Sequence, residues 1–166
     1  MSEHFKCIIE LKKQYQNFIK DNYSSLTEIG GYAEPIDNFL HWMAYFKGPK
    51  KTPYQDGIFY IEIKFPEDYP NSIPEVQMRT PIYHPNIDSY NGHIVMTNFF
   101  KYQKIHTIEE IVFVVFQMLA LPNFNDSYYG ITKNEEKARK FREKYAISNQ
   151  TYDWENSWNK RWAKED

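Results

Sequence analysis

Cysteine is almost absent from the sequence: Cys7 is the only one in a chain of 166 residues. A single thiol cannot form an internal disulfide, and it cannot build a zinc site from several cysteines. The five histidines show no paired spacing of the kind that places two metal ligands on one face of a helix. We therefore expect no metal site, and nothing in the sequence indicates a cofactor.

A charge excess and a long apolar run are also lacking. The net charge is −2 with both signs mixed along the chain, so there is no general basic field to hold nucleic acid or an anionic membrane. The longest apolar run covers 111–116, far less than the roughly 20 residues that span a bilayer. The first residues, M-S-E-H-F-K, lack the apolar core of a signal peptide. We expect no nucleic-acid partner, no membrane insertion, and a cytoplasmic or nuclear location.

Apolar and aromatic residues, in contrast, are plentiful. The chain is 42% hydrophobic and contains 14 Tyr, 12 Phe and 4 Trp. Over 166 residues this content is enough for one globular domain with a sizeable core. We therefore expect a single domain over 1–166.

The first predicted element is an amphipathic helix over 3–20. Cys7 falls within its helical pattern with no base beside it, so we interpret it as a small core or boundary residue rather than a nucleophile. The apolar residues that recur at helical spacing are Phe5, Ile8, Ile9, Leu11, Tyr15, Phe18 and Ile19. The lysines left for the other face are Lys6, Lys12, Lys13 and Lys20. By pattern alone, this is a packed terminal helix with solvated lysines.

Three strands are predicted in the middle of the chain, over 39–46, 57–65 and 75–79. In the clearest of them Phe59, Ile61 and Ile63 alternate with other residues, which predicts one buried face and one wet face. Turns that contain proline separate the strands. Such short connections suit an antiparallel meander.

Further helices are predicted in the second half. Thr107 and Glu110 fit a capping box that begins a helix with a broad apolar face, which indicates a central core helix ending before Pro122. Asn134 begins another helix, with acidic residues at the positive end of its dipole. We expect C-terminal helices over about 134–163. Three tryptophans at i, i+4 and i+8 either pack on the core there or form a partner surface: Trp154, Trp158 and Trp162.

The chain is organised around 80–98, which reads T-P-I-Y-H-P-N-I-D-S-Y-N-G-H-I-V-M-T-N. An H-P-N turn at 84–86 is followed by an irregular segment closed by Gly92 and a short apolar run at 94–96. This stretch resembles the active-site segment of ubiquitin-conjugating enzymes (E2s), in which H-P-N is followed by a glycine and then Ile-Cys-Leu. Val95 stands at the position of that cysteine.

Other fragments appear in the E2 order and close to the E2 spacing. They are Trp42, Gly48, Pro49, Thr52, Pro53, Tyr54, Gly57, Phe59, Phe65, Pro66, Tyr69, Pro70 and Pro74. Each fragment is weak alone, but the ordered set ending in H-P-N is specific and covers the chain from the first helix to near its end. The resemblance implies an α+β fold, the E2 core: an N-terminal helix, a four-stranded antiparallel meander, a central helix and C-terminal helices.

The resemblance also implies partners. These are ubiquitin or a ubiquitin-like protein, an active E2, and the E1 activating enzyme, which E2s bind through a basic first helix. The residues in that position here are Lys6, Lys12 and Lys13.

The resemblance further implies a site without its nucleophile. An E2 accepts the ubiquitin C-terminus on a cysteine as a thioester, whereas the side chain of Val95 has no lone pair to attack with. Thr97 lies about 7 Å further along an extended chain and has no evident base. The E2 residues retained around the site are His84, Pro85, Asn86 and Asp126. In E2s this asparagine steadies the loop and the developing oxyanion. Here we interpret Asn86 and Asp126 as turn residues.

Two departures concern E3 ligases. Asn71 stands where many E2s place a Phe, and Lys104 stands where E2s usually carry a Pro. Many E2s meet RING-type E3 ligases through those apolar side chains. An amide and a cation remove apolar contact area and add desolvation cost, so we do not expect ordinary E3 binding. The loop between His84 and Gly92 is also a residue longer than in most E2s.

Three functions stay open. The first, which we favour, is a non-catalytic cofactor or scaffold that binds ubiquitin, an active E2 or both, so that the chain itself is not an enzyme. The second is an E2-like adaptor in vesicle or protein trafficking, which the C-terminal helices favour because chain-building and cargo-sorting variants usually lack them. The third is an active conjugating enzyme with an unrecognised nucleophile. Since Cys7 is the only thiol, that hypothesis predicts a reducible ubiquitin adduct that Cys7→Ser abolishes.

Overall fold

The computed structural model describes residues 1–20, 25–96, 107–128 and 131–146. In these ranges the chain forms a helix, five strands and two further helices, with a 3₁₀ turn before the first strand and another between the last two helices. Their bounds are α1 Glu3–Lys20, β1 Tyr32–Asn38, β2 His41–Lys47, β3 Ile58–Lys64, β4 Glu75–Met78, β5 His93–Ile94, α2 Ile108–Ala120 and α3 Glu135–Tyr145, and the 3₁₀ turns are Ser25–Ile29 and Phe124–Asp126.

The described strands form one antiparallel sheet in the order β1-β2-β3-β4-β5, which confirms the antiparallel meander and the α+β class but has five strands where the resemblance implied four. Two strands were not located from the sequence. The first, β1, contains Pro35, and a proline argues against a strand. Pro35 is tolerated there because β1 is an edge strand whose outer side needs no ladder hydrogen bond. The other, β5, has only two residues. The predicted first strand also begins too early, because Phe39 lies in the turn before His41.

The inner face of the sheet and α2 form the core. Trp42, Phe46 and Phe59 on β2 and β3 are at most 1% exposed, and Phe46 is paired with Phe59 across the two strands. Helix α2 packs against β2. The capping box predicted for α2 is confirmed, since the Thr107 hydroxyl accepts from the N–H of Glu110 and the Glu110 carboxylate accepts from the N–H of Thr107.

Helix α1 has the predicted bounds, but it buries only part of the predicted apolar face. Cys7 and Leu11 are 2% and 0% exposed, which confirms Cys7 as a core residue. Phe5, Ile9 and Ile19 are wrong as core predictions, because they are 60%, 52% and 53% exposed. At about 100° per residue, Phe5 and Ile9 lie on the side of the helix opposite Cys7 and Leu11, and Ile19 lies on its flank, so one sheet cannot cover all of them.

Helix α3 is anchored beside the start of β3. The Nη1 of Arg142 donates to the carbonyl of Gln55 at 2.7 Å, and the N–H of Ile58 donates to the carbonyl of Ala146 at 3.0 Å. Gly57 lies beneath this contact, where a Cβ would come within 2.9 Å of the Cγ of Arg142. Helix α3 is therefore held against the sheet by backbone and side-chain bonds.

The predicted start of α3 is confirmed, because the side chain of Asn134 caps it by accepting from the N–H of Lys137 at 2.9 Å. The rest of the predicted C-terminal helices, up to about 163, lies outside the described residues. The tryptophan stripe lies there too: Trp154, Trp158 and Trp162. Within the described ranges, no helix combines the length and the apolar character needed to cross a membrane.

Candidate functional site

The loop between β4 and β5 folds back on itself. After the turn at His84, the N–H of Asp88 donates to the carbonyl of His93 at 3.0 Å, and the N–H of Gly92 donates to the carbonyl of Asp88 at 2.8 Å. Gly92 has a φ of +73°, a left-handed conformation that glycine adopts without steric cost. An isolated bridge joins Ile87 to Ile94. The longer loop is thus a closed, hydrogen-bonded hairpin.

His84, at the start of this hairpin, is buried and neutral. Its Nδ1 accepts from the N–H of Asn86 at 3.1 Å, so the proton lies on Nε2, which donates to the carbonyl of Met118 at 3.0 Å. Burial lowers the pKa of His84 to about 4, and the bond to Met118 offsets only part of that effect. The imidazole therefore joins the loop to the end of α2 rather than acting as a base at neutral pH.

Asn86 clamps two loops together. Its Nδ2 donates to the carbonyls of Asn123 and Asp126 at 2.7 and 3.0 Å, and its Oδ1 accepts from the N–H of Asn123 at 2.8 Å. The neighbouring Pro85 carbonyl accepts from the N–H of Tyr128 at 2.7 Å. Both amide hydrogens and the oxygen of Asn86 are therefore engaged within the protein, which agrees with its interpretation as a turn residue.

Asp126 lies at the surface, at the end of the second 3₁₀ turn. Its backbone carbonyl, rather than its carboxylate, makes the bond to Asn86. The structure thus brings His84, Pro85, Asn86 and Asp126 together around one loop pair, as the resemblance implies.

Val95 follows β5 directly and is 42% exposed. Because Ile87 is bridged to Ile94 in an antiparallel sense, Val95 comes next to Asn86 on the neighbouring segment. The residue that the resemblance places at the E2 cysteine position is therefore accessible and lies beside the Asn86 clamp. Thr97, the other residue considered as a nucleophile, lies outside the described residues.

Cys7 is remote from solvent. It is 2% exposed on the inner side of α1, and its Sγ donates to the carbonyl of Pro66 at 3.7 Å. Burial raises the pKa of the Cys7 thiol, which lowers the thiolate fraction at neutral pH. This environment opposes the hypothesis that Cys7 carries ubiquitin.

The described residues at the E1-binding and E3-binding positions of E2s lie on α1 and in the turn after β3. Lys6, Lys12 and Lys13 are exposed on α1, where Lys6 is paired with Glu3 at 3.0 Å. Asn71 is exposed in the turn after β3, and its N–H donates to the carbonyl of Asp68 at 2.9 Å. Lys104 lies outside the described residues. The part of the chain that the structure describes holds no group of three or more His, Cys, Asp or Glu residues placed to bind a metal ion.

Sequence reasoning missed Asn123, the residue whose backbone pairs with the Asn86 side chain. Its backbone exchanges two hydrogen bonds with the Asn86 side chain, and its own side chain accepts from the N–H of Asn125 at 3.1 Å. A signal was present in P-N-F-N-D-S, where Asn follows Pro at the entry to a turn. The partner of that turn could not be known before the fold.

Comparisons with known proteins agree with this geometry. The family model for ubiquitin-conjugating enzymes matches residues 10–152. A curated relative, Ubiquitin-conjugating enzyme E2 13 of Saccharomyces cerevisiae (strain ATCC 204508 / S288c), is 33% identical over 147 residues, with 81% of this chain and 91% of that protein covered. A crystal structure described as a ubiquitin conjugating enzyme from Plasmodium yoelii has a TM-score of 0.72 and 27% identity, and the match covers 86% of this chain and 97% of that chain.

These matches overturn one expectation from the sequence. We expected that the chain is not an enzyme, because Val95 replaces the cysteine. That expectation is wrong: a relative that is 33% identical over most of the chain is named as a conjugating enzyme, which points to an enzyme. The error has a physical basis. The side chain of residue 95 decides whether a thioester forms at residue 95, but it does not decide whether the chain belongs to an enzyme.

The family model spans well over half of the chain, and the five strands, the H-P-N turn and the Asn86 clamp all lie within its limits. The chain therefore belongs to the ubiquitin-conjugating enzyme (E2) family.

Proposed function

We propose that this chain acts in ubiquitin conjugation as one subunit of a conjugating enzyme, in which it binds ubiquitin, an active E2 or both. The thioester is then carried on the cysteine of the partner E2. In this role the chain positions ubiquitin or the partner for the transfer step, where correct placement of the reacting groups lowers the barrier.

The observation that carries the proposal is that the hydrogen bonds of His84 and Asn86 are present beside Val95, which stands where the resemblance places the E2 cysteine. His84 and Asn86 keep their hydrogen bonds, and both loops of the site are closed. The side chain of Val95, which is 42% exposed, cannot form a thioester. A surface that keeps its E2 shape still offers E2-type contacts to a partner.

The test is a reconstituted conjugation reaction with E1, ubiquitin, Mg²⁺, ATP and a panel of active E2s, with and without this chain. We expect at least one E2 to form ubiquitin conjugates faster when the chain is added, with a saturable dependence on its concentration. Cys7→Ser is the matched control and should stimulate as well as the native chain, because Cys7 is buried.

Binding is measured in parallel from the backbone amide shifts of ¹⁵N-labelled ubiquitin and of the stimulated E2. The proposal fails if no E2 is stimulated and neither ubiquitin nor any E2 of the panel shows saturable shifts. Loss of stimulation in Cys7→Ser, with the fold retained, would instead assign the chemistry to that thiol.

A further inference from the structure

A cavity of about 210 Å³ lies beside the candidate site, between the loop at Thr52, the turn at Pro85, the end of α2 and the start of α3. Its apolar walls come from all four segments and include Pro53, Tyr54, Pro85, Leu119, Pro122 and Phe124. Cavities that hold small-molecule ligands measure roughly 300–1,000 Å³. This cavity is smaller, and its size suits one large side chain rather than a cofactor.

The polar groups of the walls are already used within the protein. The hydroxyl of Tyr54 donates to the carbonyl of Tyr83 at 2.8 Å, and the hydroxyl of Tyr83 donates to the carbonyl of Thr132 at 3.2 Å. The hydroxyl of Thr52 donates to the carbonyl of Pro49 at 2.7 Å. The tyrosines therefore present their rings to the cavity rather than free donors, which favours an apolar occupant.

The rim of the cavity is basic. Lys51 and Lys133 line it, and the ammonium of Lys137 lies 4.6 Å from the ring centroid of Tyr83 in its wall. The carboxylate at the rim, Glu135, is neutralised by Lys133 at 3.4 Å and by Arg139 on its own helix at 3.1 Å. Lys51 makes no ion pair with any described residue. The cavity mouth thus carries a local excess of positive charge although the whole chain has a net charge of −2.

We propose that this cavity is a docking site for an acidic segment of a partner protein, which inserts one large apolar side chain. The apolar walls receive the side chain, and carboxylates beside it face Lys51, Lys133 and Lys137. Buried apolar or aromatic anchors that fill a pocket supply most of the energy of such interfaces, and charge complementarity selects the partner. This proposal does not depend on the role of the chain in ubiquitin transfer.

The test begins with selection of random 12-residue peptides displayed on phage against the full chain. We expect the selected peptides to share one large apolar residue flanked by Asp or Glu. Synthetic copies should bind with an affinity that falls at least tenfold in the double variant Lys51→Glu, Lys133→Glu. Their binding should also weaken when the salt is raised from about 0.05 to 0.5 M, because exposed charges are then screened.

Two matched pairs of variants separate the cavity from the general surface. Phe124→Ala removes part of the wall and should weaken peptide binding. Leu121 is 80% exposed and does not line the cavity, so Leu121→Ala should leave peptide binding unchanged. Lys140→Glu changes the same charge on α3 away from the rim and should leave binding unchanged. Thermal melts of all variants check that the fold is kept.

Three results overturn the proposal. One is selection of peptides without acidic residues, or of none that depends on Lys51 and Lys133. Another is amide shifts on peptide binding that map away from Tyr54, Tyr83 and Phe124. The third is a concentration-dependent dimer of the native chain that Phe124→Ala abolishes, which would assign the cavity to a second copy of the chain.

Discussion

His84 shows how a residue of the H-P-N turn serves the fold of the site. The sequence places it at the head of the turn, and the structure buries it completely between Asn86 and Met118. Both ring nitrogens are engaged, one as acceptor and one as donor. A group that must stay neutral in the folded chain makes the stability of the fold depend on pH.

The direction of that dependence follows from the pKa of His84. It is lowered to about 4 in the folded chain and returns to about 6.5 on unfolding. Between these pH values the unfolded chain therefore binds a proton at His84 that the folded chain does not. His84 costs no stability above about pH 6.5, and the free energy of unfolding falls as the pH is lowered towards 4. For one proton we expect about 2 kcal/mol less free energy of unfolding at pH 5 than at pH 7 from this residue.

Urea unfolding of the native chain and of His84→Gln at both pH values measures this contribution. The difference between pH 7 and pH 5 should be smaller in the variant. His93→Gln removes a histidine from the neighbouring strand β5 and controls for the substitution itself. Equal pH dependence in the native chain and in His84→Gln would contradict the assignment.

At the scale of elements, the Asn86 clamp joins the loop after β4 to the loop after α2. Three hydrogen bonds of 2.7 to 3.0 Å cross between segments that are 37 to 40 residues apart in sequence. Asn86→Ala removes all of them and leaves the backbone groups of Asn123 and Asp126 to partly hydrated surroundings. We expect a loss of about 1–2 kcal/mol in the free energy of unfolding.

Chemical denaturation of Asn86→Ala beside Asn71→Ala checks this expectation. Asn71 is exposed, and its side chain makes no hydrogen bond with any described residue. The free energy of unfolding of Asn71→Ala should therefore stay within about 0.5 kcal/mol of that of the native chain. Equal stability of the two variants would show that the clamp contributes nothing to the fold.

Local patterns predicted the elements that have a strong local cause. The alternation of Phe59, Ile61 and Ile63 predicted β3, and the capping box at Thr107 predicted the start of α2. The edge strand β1 was missed because Pro35 argues against a strand unless that strand lies at a sheet edge, and the place of a strand in the sheet is not a property of the local sequence. The choice of the buried side of α1 is likewise made by the sheet.

The candidate site was predicted in part for the same reason. The H-P-N turn and Val95 were visible in the sequence, because turn residues and a missing thiol need no fold to be recognised. The contact of Asn86 with Asn123, and the cavity behind Pro85, join segments far apart in the chain. Only the fold brings those segments together.

At the scale of the whole molecule, an E2 fold surrounds the H-P-N turn and Val95, the residue that the sequence resemblance aligns with the E2 cysteine. The membership of the E2 family rests on the family match over 10–152 and on the 33% identity to the yeast relative. If the frame at His84 and Asn86 is that of an E2, a cysteine placed at residue 95 should regain the chemistry that Val95 lacks.

The most direct measurement is charging of the native chain and of Val95→Cys with E1, ubiquitin, Mg²⁺ and ATP, read on a non-reducing gel. A thiol reagent first verifies that the new cysteine is accessible, as the 42% exposure of Val95 predicts. We expect a ubiquitin adduct on Val95→Cys that a reducing agent removes, and none on the native chain. A reducible adduct on the native chain, or none on a folded and accessible Val95→Cys, would contradict the account.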